Sequence, residues 1–531
     1  MYGRTKSFAI HGIDAKEVTI EADIKGGLFK FSIVGLPSNT VKESKDRVSA
    51  AIKNSGFRFA PSNYTINLAP ADLKKEGVAL DLPIAMAILS ASGELLSNHI
   101  EDYGFIGEVS LDGNLRPVKG VLPMAVTAWK NGFRGIVVPK ENAEEAAIID
   151  ELNVYPVTSL NEAISFIENK KIIEPFKVDV KEIFENPSSN VLDMFDVKGQ
   201  FQAKRALEVS AAGGHNVLMI GPPGSGKTML AKRLPTILPK LSMNEALETT
   251  KIHSVSGLMG NSKYGIINYR PFRSPHHTIS DVALIGGGSY PKPGEVSLAH
   301  NGVLFLDELP EFKKTVLEVL RQPLEDERVN IARASLSLTY PAKFMLIASM
   351  NPCPCGYYGS KSNSHSCSCT ITSIQRYRNR ISGPLLDRID IHIDVPTVEY
   401  KDLSSLPTGE KSAHIQKRVD ECRKIQLRRF KDNKIFSNSQ MNAKQIRKYC
   451  QLDNAGQNLL KMAMEKKGFS ARAYDRILKV ARTIADLESA DLINSNHISE
   501  AIQYRSLDKK YWEPSLETLK KEYIGLETDK K

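Results

Sequence analysis

A glycine-rich loop between a short apolar run and a helix constrains this chain more than any other feature of its sequence. The run 216–220 is followed at once by the pattern GxxxxGK[ST]. The glycines let successive backbone N–H groups turn towards phosphate oxygens, and the helix adds its positive N-terminal end. The lysine can reach the β- and γ-phosphates, and the hydroxyl can ligate Mg²⁺. The predicted triphosphate site consists of Gly221, Pro222, Pro223, Gly224, Ser225, Gly226, Lys227 and Thr228.

Two adjacent carboxylates follow a second apolar run, 303–306. Asp307 is expected to hold Mg²⁺, directly or through water, and Glu308 to polarise the attacking water. An acidic pair after a strand is more often a helix cap, but its combination with the phosphate loop favours catalysis. A third run, 344–350, ends at Asn351, which is expected to position the water unless it is a simple turn residue.

The chain of 531 residues is too long for one hydrophobic core, and its patterning divides it into three folded units. The first mixes strand and helix patterns, the second alternates apolar runs with helices as in a parallel sheet, and the third is helical. The expected boundaries are 1–170 for the first unit, 171–190 for a linker, 191–400 for the second unit, 401–510 for the third and 511–531 for a charged tail.

Composition adds weaker constraints. The formal net charge of +10 is compatible with a polyanionic partner. No apolar stretch approaches the ~20 residues needed to span a bilayer, so the expected location is cytoplasmic, without a membrane partner. The basic cluster 417–431 is expected to be a solvated helix face, and 141–151 is expected to form a helix.

Four of the six cysteines fall within 17 positions, as Cys353, Cys355, Cys367 and Cys369. Four soft ligands from two short turns suit a tetrahedral, structural Zn²⁺ site, with His365 as a spare ligand. The CxC spacing is less common than CxxC, so free thiols in a loop remain the alternative. Four thiolates would leave no open coordination position, which argues against a catalytic zinc.

Taken together, these segments resemble the AAA+ core of Mg-chelatase-like ATPases, in particular the ComM (YifB) group of competence proteins. The resemblance covers almost the whole chain, and the cysteine-bearing segment makes it specific. Besides the glycine-rich loop and the acidic pair, it is carried by DVKGQ at 196–200, SPHHT at 274–278, PGEVSLAHNG at 293–302, NPCPCG at 351–356 and GPLLDRID at 383–390.

The resemblance implies roles for residues that spacing alone does not assign. Asn351 is similar to the sensor-1 residue, Arg388 to an arginine finger that completes a neighbouring subunit's site, and Arg472 to the sensor-2 arginine of a helical lid. Val197 and Gly199 occupy positions that cradle adenine in such proteins. A guanidinium stabilises the charge that spreads over the γ-phosphoryl group. The alternative for both arginines is a surface salt bridge.

The first unit resembles the Lon-protease-like fold, an α/β arrangement of the ribosomal S5 domain 2 type. The match places Ala79 at the nucleophilic serine, and Leu122 and Met124 at the lysine positions. A serine–lysine dyad needs a hydroxyl and an amine within hydrogen-bond reach, and these residues offer neither. The resemblance therefore implies a structural or DNA-facing domain without the protease dyad.

The function implied by the resemblance is that of an ATP- and Mg²⁺-dependent motor that forms a ring, expected to be a hexamer. Its expected partners are single-stranded or branched DNA, bound without sequence preference, and recombination proteins. Its implied activity is that of a helicase or branch-migration factor in natural transformation. Phosphate contacts are expected from segments that resemble pore-lining insertions, through Lys263, Arg270, Arg273, Lys292 and Arg333.

Three alternatives remain at this point. A motor subunit of a tetrapyrrole magnesium chelatase shares the core, but the Lon-like domain and the cysteine segment do not fit its usual short form. An ATP-dependent protease is opposed by Ala79. A non-enzymatic scaffold is difficult to reconcile with complete nucleotide-binding elements.

Overall fold

The computed structural model describes residues 1–185, 192–259, 265–288, 291–333, 336–359, 366–398, 409–431 and 435–505. A mixed α/β unit, a parallel-sheet unit and a helical unit follow one another, which confirms the predicted fold class. None of the described helices is both long enough and apolar enough to cross a membrane.

The N-terminal unit is built on a mixed sheet of seven strands. The strands of this unit are β1 (Tyr2–His11), β2 (Asp14–Lys25), β3 (Lys30–Val34), β4 (Asn63–Ala69), β5 (Tyr103–Phe105), β6 (Glu108–Val109), β7 (Leu115–Arg116), β8 (Gly135–Pro139) and β9 (Val154–Val157). The order in the sheet is β3-β4-β2-β1-β5-β8-β9, and β6 pairs with β7 separately. The helices are Asn39–Asn54, Asp81–Ser92, Val121–Lys130, Ala143–Ala146, Leu160–Ile167 and Val180–Glu185.

The second unit contains a five-stranded sheet in which all neighbouring strands are parallel. The strands of this unit, inside and outside that sheet, are β10 (Val217–Ile220), β11 (Phe272–Arg273), β12 (Gly286–Gly287), β13 (Lys292–Pro293), β14 (Val303–Leu306), β15 (Arg328–Arg333), β16 (Leu336–Pro341), β17 (Met345–Met350) and β18 (Ile391–Asp394). The sheet order is β11-β14-β17-β10-β18, while β12–β13 and β15–β16 are separate hairpins. Every residue of β10 and β14 is buried, as expected for a parallel sheet covered on both faces.

Helices complete the second unit and form the third. Those of the second unit are Phe201–Gly213, Lys227–Arg233, Met243–Ser256, Asp281–Ile285, Glu295–Leu298, Lys314–Val319, Pro323–Asp326, Ile371–Arg378 and Gly383–Leu386. Those of the third are Ser412–Arg429, Ala443–Tyr449, Asn454–Lys467, Ala471–Leu487 and Ser495–Gln503. Two helices of the third unit, Ser412–Arg429 and Ala471–Leu487, pack against Phe201–Gly213.

The basic segment 417–431 forms in part the solvated helix face that its charge pattern predicts, since Lys417, Arg428 and Lys431 are exposed. Arg418 is paired with Glu208 of the second unit, at 2.6 Å. Arg429 Nη1 donates to Asp486 Oδ2, also at 2.6 Å, and Asp486 is buried. The prediction therefore holds for one face of the helix and fails for Arg418 and Arg429, which pair with carboxylates from distant parts of the chain.

The helix predicted over 141–151 is much shorter, since Lys140–Asn142 is a 3₁₀ turn and only Ala143–Ala146 is α-helical. Ile148 and Ile149 are both buried and belong to a turn, in which Leu152 N–H donates to the carbonyl of Ile149 at 3.0 Å. The continuous apolar run therefore fills a core instead of forming one face of a helix.

The first two units share a hydrophobic core. Leu241, Ala246 and Ile266 of the second unit belong to the same buried cluster as Phe8 and Ile136 of the first. The contact between the units is therefore part of the fold and not a loose surface association.

A buried glutamate lies within this contact. Glu145 is 7% exposed, and its Oε1 accepts hydrogen bonds from the backbone N–H of Leu122, at 2.9 Å, and from the hydroxyl of Ser254 in the second unit. Burial raises the pKa of Glu145, although these hydrogen bonds oppose the shift. The carboxyl group therefore joins the two units, and its ionisation is less favourable in the folded protein than in the unfolded chain.

We predict that Glu145→Gln reduces the pH dependence of thermal unfolding. The pKa of Glu145 in the folded protein lies above its unfolded-state pKa of about 4.3. The stabilisation from Glu145 is therefore complete below the unfolded-state pKa and is lost as the pH rises through the folded-state pKa. A glutamine at position 145 accepts the same N–H but does not ionise. The Tm of the Glu145→Gln variant should therefore fall less than the wild-type Tm as the pH rises through this range. Differential scanning fluorimetry across the pH range measures this. Glu144→Gln, at an exposed neighbouring position, is the control and should follow the wild-type profile. A wild-type pH slope in Glu145→Gln would contradict the assignment.

Candidate functional site

The glycine-rich loop connects the carboxyl end of β10 to the helix Lys227–Arg233. Gly221 packs so closely against the chain after β18 that an added Cβ would lie 2.1 Å from the carbonyl oxygen of Val395. Gly224 and Gly226 have φ angles of +74° and +91°, which L side chains rarely adopt. The sequence therefore needs glycine here for the backbone to form a phosphate cradle.

Lys227 is folded into the centre of this cradle. Its Nζ donates to the carbonyl oxygens of Gly221, at 2.7 Å, and Pro222, at 2.8 Å, and lies 3.3 Å from Asn351 Oδ1. Burial lowers the pKa of Lys227, an effect that the nearby carboxylate of Asp307 opposes. A bound triphosphate would therefore offer the ammonium group of Lys227 anionic oxygen acceptors in place of these carbonyl oxygens.

Hard oxygen donors converge beside the lysine. Thr228 Oγ1 donates to Asp307 Oδ2 at 2.8 Å, and the Ser349 hydroxyl donates to the other carboxylate oxygen of Asp307. Hydroxyl and carboxylate oxygens fit Mg²⁺, which binds proteins through few ligands and is completed by water and phosphate. The predicted magnesium ligands therefore lie together, and Ser349 is an additional residue that the sequence did not indicate.

Glu308 has a different environment from its neighbour. Its backbone is left-handed, with φ +54°, and its side chain is 56% exposed. His277 Nδ1 lies 3.5 Å from a carboxylate oxygen of Glu308, and the rings of His276 and His277 are 4.1 Å apart. The carboxylate is free to meet a water molecule, and His277 can orient it. The segment SPHHT, which contains His277, contributes to the family resemblance, but the sequence alone predicts no role for His277.

Val197 and Gly199, the residues expected to cradle adenine, are linked to the phosphate loop through the adjacent Gln200. Val197 is buried, and Gly199 and Gln200 have φ angles of +60° and +54°. Gln200 Nε2 donates to the carbonyl of Ser225 at 3.2 Å and to that of Pro396 at 2.5 Å. The segment containing Val197 and Gly199 is therefore attached to the phosphate loop, and Gln200 is a contact that the sequence did not predict.

Arg388 and Arg472 lie at the opposite edge of the sheet. Asn216, immediately before β10, donates from Nδ2 to the carbonyl of Arg388 at 2.9 Å. Arg472 is paired with Asp387 at 3.1 Å, and its side chain is 69% exposed. One cleft at this amino edge is lined by both arginines, whereas the phosphate loop lies at the carboxyl edge. The structure therefore does not bring either arginine to the nucleotide site of its own chain.

The four clustered cysteines are brought together as predicted. Their sulfur atoms lie within 4.8 Å of one another, with Cys353 Sγ 3.3 Å from Cys355 Sγ and 3.7 Å from Cys367 Sγ. Burial acts to raise the pKa of Cys355, but a backbone N–H and the neighbouring thiols lower it to about 6. Cys369 completes a donor set that fits tetrahedral Zn²⁺. His365 lies outside the described residues.

The cysteine cluster also packs against the nucleotide site. A Cβ added to Gly356 would lie 2.5 Å from Pro223 of the phosphate loop. Arg378 donates from Nε and Nη2 to the carbonyl of Pro352, at 3.1 and 2.9 Å, next to Asn351. The cluster therefore supports both the loop and the strand end that carries Asn351.

The expected phosphate contacts have different environments. Arg270 donates to the carbonyl of Asn301 at 2.7 Å, and Arg273 is paired with Glu295 through two contacts of 2.6 and 2.7 Å. These two arginines are held inside the unit and are poorly placed for an external phosphate. Lys292, in β13, is exposed. Lys263 and the side chain of Arg333 lie outside the described part of the structure.

At the positions of a Lon-type dyad the N-terminal unit carries only apolar side chains. Ala79, Leu122 and Met124 are 6%, 0% and 3% exposed and belong to one hydrophobic cluster. The nearby Lys75 is fully buried, and its Nζ donates to the carbonyl of Gly35 at 3.0 Å. The three positions therefore form a packed core and cannot supply a nucleophile and a base.

Comparison with known proteins covers nearly the whole chain. Residues 193–403 match the family described as magnesium chelatase, subunit ChlI; residues 20–142 match subunit ChlI of Mg-chelatase, and residues 409–505 its C-terminal part. YifB of Salmonella typhimurium is 46% identical over 500 residues, which is 94% of this chain and 96% of the relative. Competence protein ComM of Haemophilus influenzae is 45% identical over 504 residues, 94% and 97% of the two chains.

A shorter similarity links the chain to Lon protease of the Aster yellows witches'-broom phytoplasma, with 26% identity over 176 residues, 31% of this chain and 22% of the relative. It agrees with the Lon-like fold expected from the sequence. The near-complete relatives and the family matches together give the assignment: the chain belongs to the Mg-chelatase-like AAA+ ATPases of the ComM and YifB family.

Proposed function

We propose that this protein is an ATP-hydrolysing ring motor, expected to be a hexamer, that remodels DNA during recombination in natural transformation. One observation carries the proposal: the phosphate loop and Arg388 lie at opposite edges of one parallel sheet. A complete site then forms where the carboxyl edge of one subunit meets the amino edge of the next. The family implies ATP and Mg²⁺ as cofactors.

The proposal assigns a residue to each step of hydrolysis. Lys227 binds the phosphates, and Thr228 and Asp307 would hold Mg²⁺, which would supply charge neutralisation at the phosphate oxygens. Glu308 accepts a proton from the attacking water while Asn351 fixes the position of that water. Arg388 of a neighbouring subunit stabilises the charge on the transferred phosphoryl group. Arg472, which lines the same cleft as Arg388, is proposed to act at the same interface.

DNA is the proposed substrate because ComM, a near-complete relative, is named a competence protein and competence concerns DNA uptake. Lys292 in the β12–β13 hairpin offers an exposed cation for phosphate contacts. Such contacts would be independent of sequence and weakened by salt. Recombination proteins are proposed as further partners.

A magnesium chelatase motor subunit is the second candidate, favoured by the matched family descriptions. It would require a porphyrin-binding partner subunit. Co-purification with such a subunit, in the absence of any activity on DNA, would favour this candidate.

We predict that the purified protein, supplied with ATP and Mg²⁺, separates a labelled four-way DNA junction into duplexes. Lys227→Ala should lose ATP binding, because it removes the phosphate-binding ammonium group. Glu308→Gln should bind ATP but hydrolyse it slowly, because it keeps the cradle and loses the base. Gel analysis of the junction and a nucleotide-binding assay measure these effects. Normal turnover in Glu308→Gln would remove Glu308 from this role, and an unchanged junction despite rapid hydrolysis would reject DNA remodelling.

We propose that the cysteine cluster holds one structural zinc ion. Elemental analysis of freshly purified, reduced protein should find about one zinc per chain. Replacing Cys353 and Cys355 with serine should abolish this content, because two hard hydroxyls are poor zinc ligands. The lone buried Cys422, replaced by serine, is the control and should leave the zinc content unchanged. Absence of zinc in the wild type would reject the site.

We predict that Arg388→Ala retains ATP binding while hydrolysis falls by up to ~10³-fold, as for a finger supplied by a neighbour. Mixing Arg388→Ala with Lys227→Ala should partly restore hydrolysis, because some interfaces then pair an intact loop with an intact finger. The ATPase rate is measured without DNA, at several protein concentrations. A wild-type rate in Arg388→Ala would instead identify Arg388 as a structural ion-pair residue.

A further inference from the structure

Arg388 is held by a carboxylate of its own chain. Its Nη2 donates to Glu325, and its Nη1 donates to the carbonyl of Pro384 at 2.7 Å. The side chain of Arg388 is only 18% exposed, and among the described residues its buried Nε has no hydrogen-bond partner. The guanidinium group is therefore folded back onto its own subunit instead of extending towards a neighbour.

Glu325 belongs to the base of the β15–β16 hairpin. It lies in the short helix Pro323–Asp326. The residue after this helix, Glu327, has a φ of +55° and turns the chain into β15. The carbonyl of Glu327 accepts a hydrogen bond of 2.8 Å from the N–H of Ala342, just after β16. The helix that carries Glu325 and both strands of the hairpin are therefore tied together at this point.

The ion pair separates two clefts. One contains Arg472 and Lys479 of the helical unit, and the other contains Val329 and Asn330 of β15. Glu325 and Arg388 line both clefts. The pair therefore stands between the interface edge of the sheet and the hairpin.

We propose that Glu325 is a positioning residue: it retains Arg388 within its own subunit and releases it to the neighbouring nucleotide site when a polynucleotide displaces the β15–β16 hairpin. This inference rests on the proposed function, since it takes Arg388 as the finger. The carboxylate of Glu325 and the γ-phosphate compete for the same guanidinium group. A partly exposed ion pair shifts a two-state population by about two- to fivefold, so retention slows hydrolysis without abolishing it.

The test compares ATP hydrolysis with and without single-stranded oligothymidylate. Glu325→Gln keeps the shape of the side chain but removes its charge, so hydrolysis without the oligonucleotide should rise about two- to fivefold. Stimulation by the oligonucleotide should shrink by the same factor, and the KM for ATP should not change. The control is Glu318→Gln, because Glu318 is paired with Arg321 at 2.8 Å. Loss of this charge should leave the hydrolysis rates with and without the oligonucleotide as in the wild type.

A double variant separates retention of Arg388 from a general structural role of Glu325. If Glu325 acts through Arg388, Glu325→Gln combined with Arg388→Ala should be as slow as Arg388→Ala alone. A double variant that hydrolyses ATP faster than Arg388→Ala would overturn the proposal. So would a Glu325→Gln variant that has the wild-type Tm but hydrolyses ATP no faster than the wild type. If Arg388→Ala itself hydrolyses ATP at the wild-type rate, the finger assignment fails. If Arg388→Ala is slow and Glu325→Gln is not faster, only the retention by Glu325 is wrong.

Discussion

Parallel pairing of β10 with β17 and β18, and of β14 with β17, is the interaction on which the rest of the site depends. Because all these strands run in one direction, their carboxyl ends meet at one edge, and the phosphate loop, Asp307 and Asn351 meet with them. The same pairing places Arg388, just before β18, at the other edge. The direction of the strands thus separates the residues that hold a nucleotide from the residue proposed to complete its hydrolysis.

The parts of the site that follow from local rules could be predicted from the sequence. The phosphate loop carries its own geometry, because its glycines take backbone angles and close contacts that few other residues allow. The strand ends with Asp307 and Asn351 follow from short buried apolar runs. The four cysteines are close in sequence, so their proximity in space required little of the rest of the chain.

The features that could not be predicted from the sequence depend on contacts between residues that are far apart in the chain. His277 approaches Glu308 only because β11 and β14 are neighbours in the sheet. Within 417–431, Arg418 and Arg429 pair with carboxylates that are far away in sequence, so the charge pattern could not show that these two arginines leave the solvated face of the helix. The continuous apolar run around Ile148 has no period that distinguishes a helix from a buried turn.

The core shared by the first two units has a consequence for how such a chain can change over generations. Leu241 and Ala246 bury their side chains among residues of the Lon-like unit, and Glu145 satisfies a hydroxyl of the second unit. A domain attached by a tether can be lost or exchanged by a single rearrangement, whereas here removal of the N-terminal unit would uncover apolar surface beside the ATPase core. The two units are therefore expected to be inherited as one block, with substitutions on one side compensated on the other.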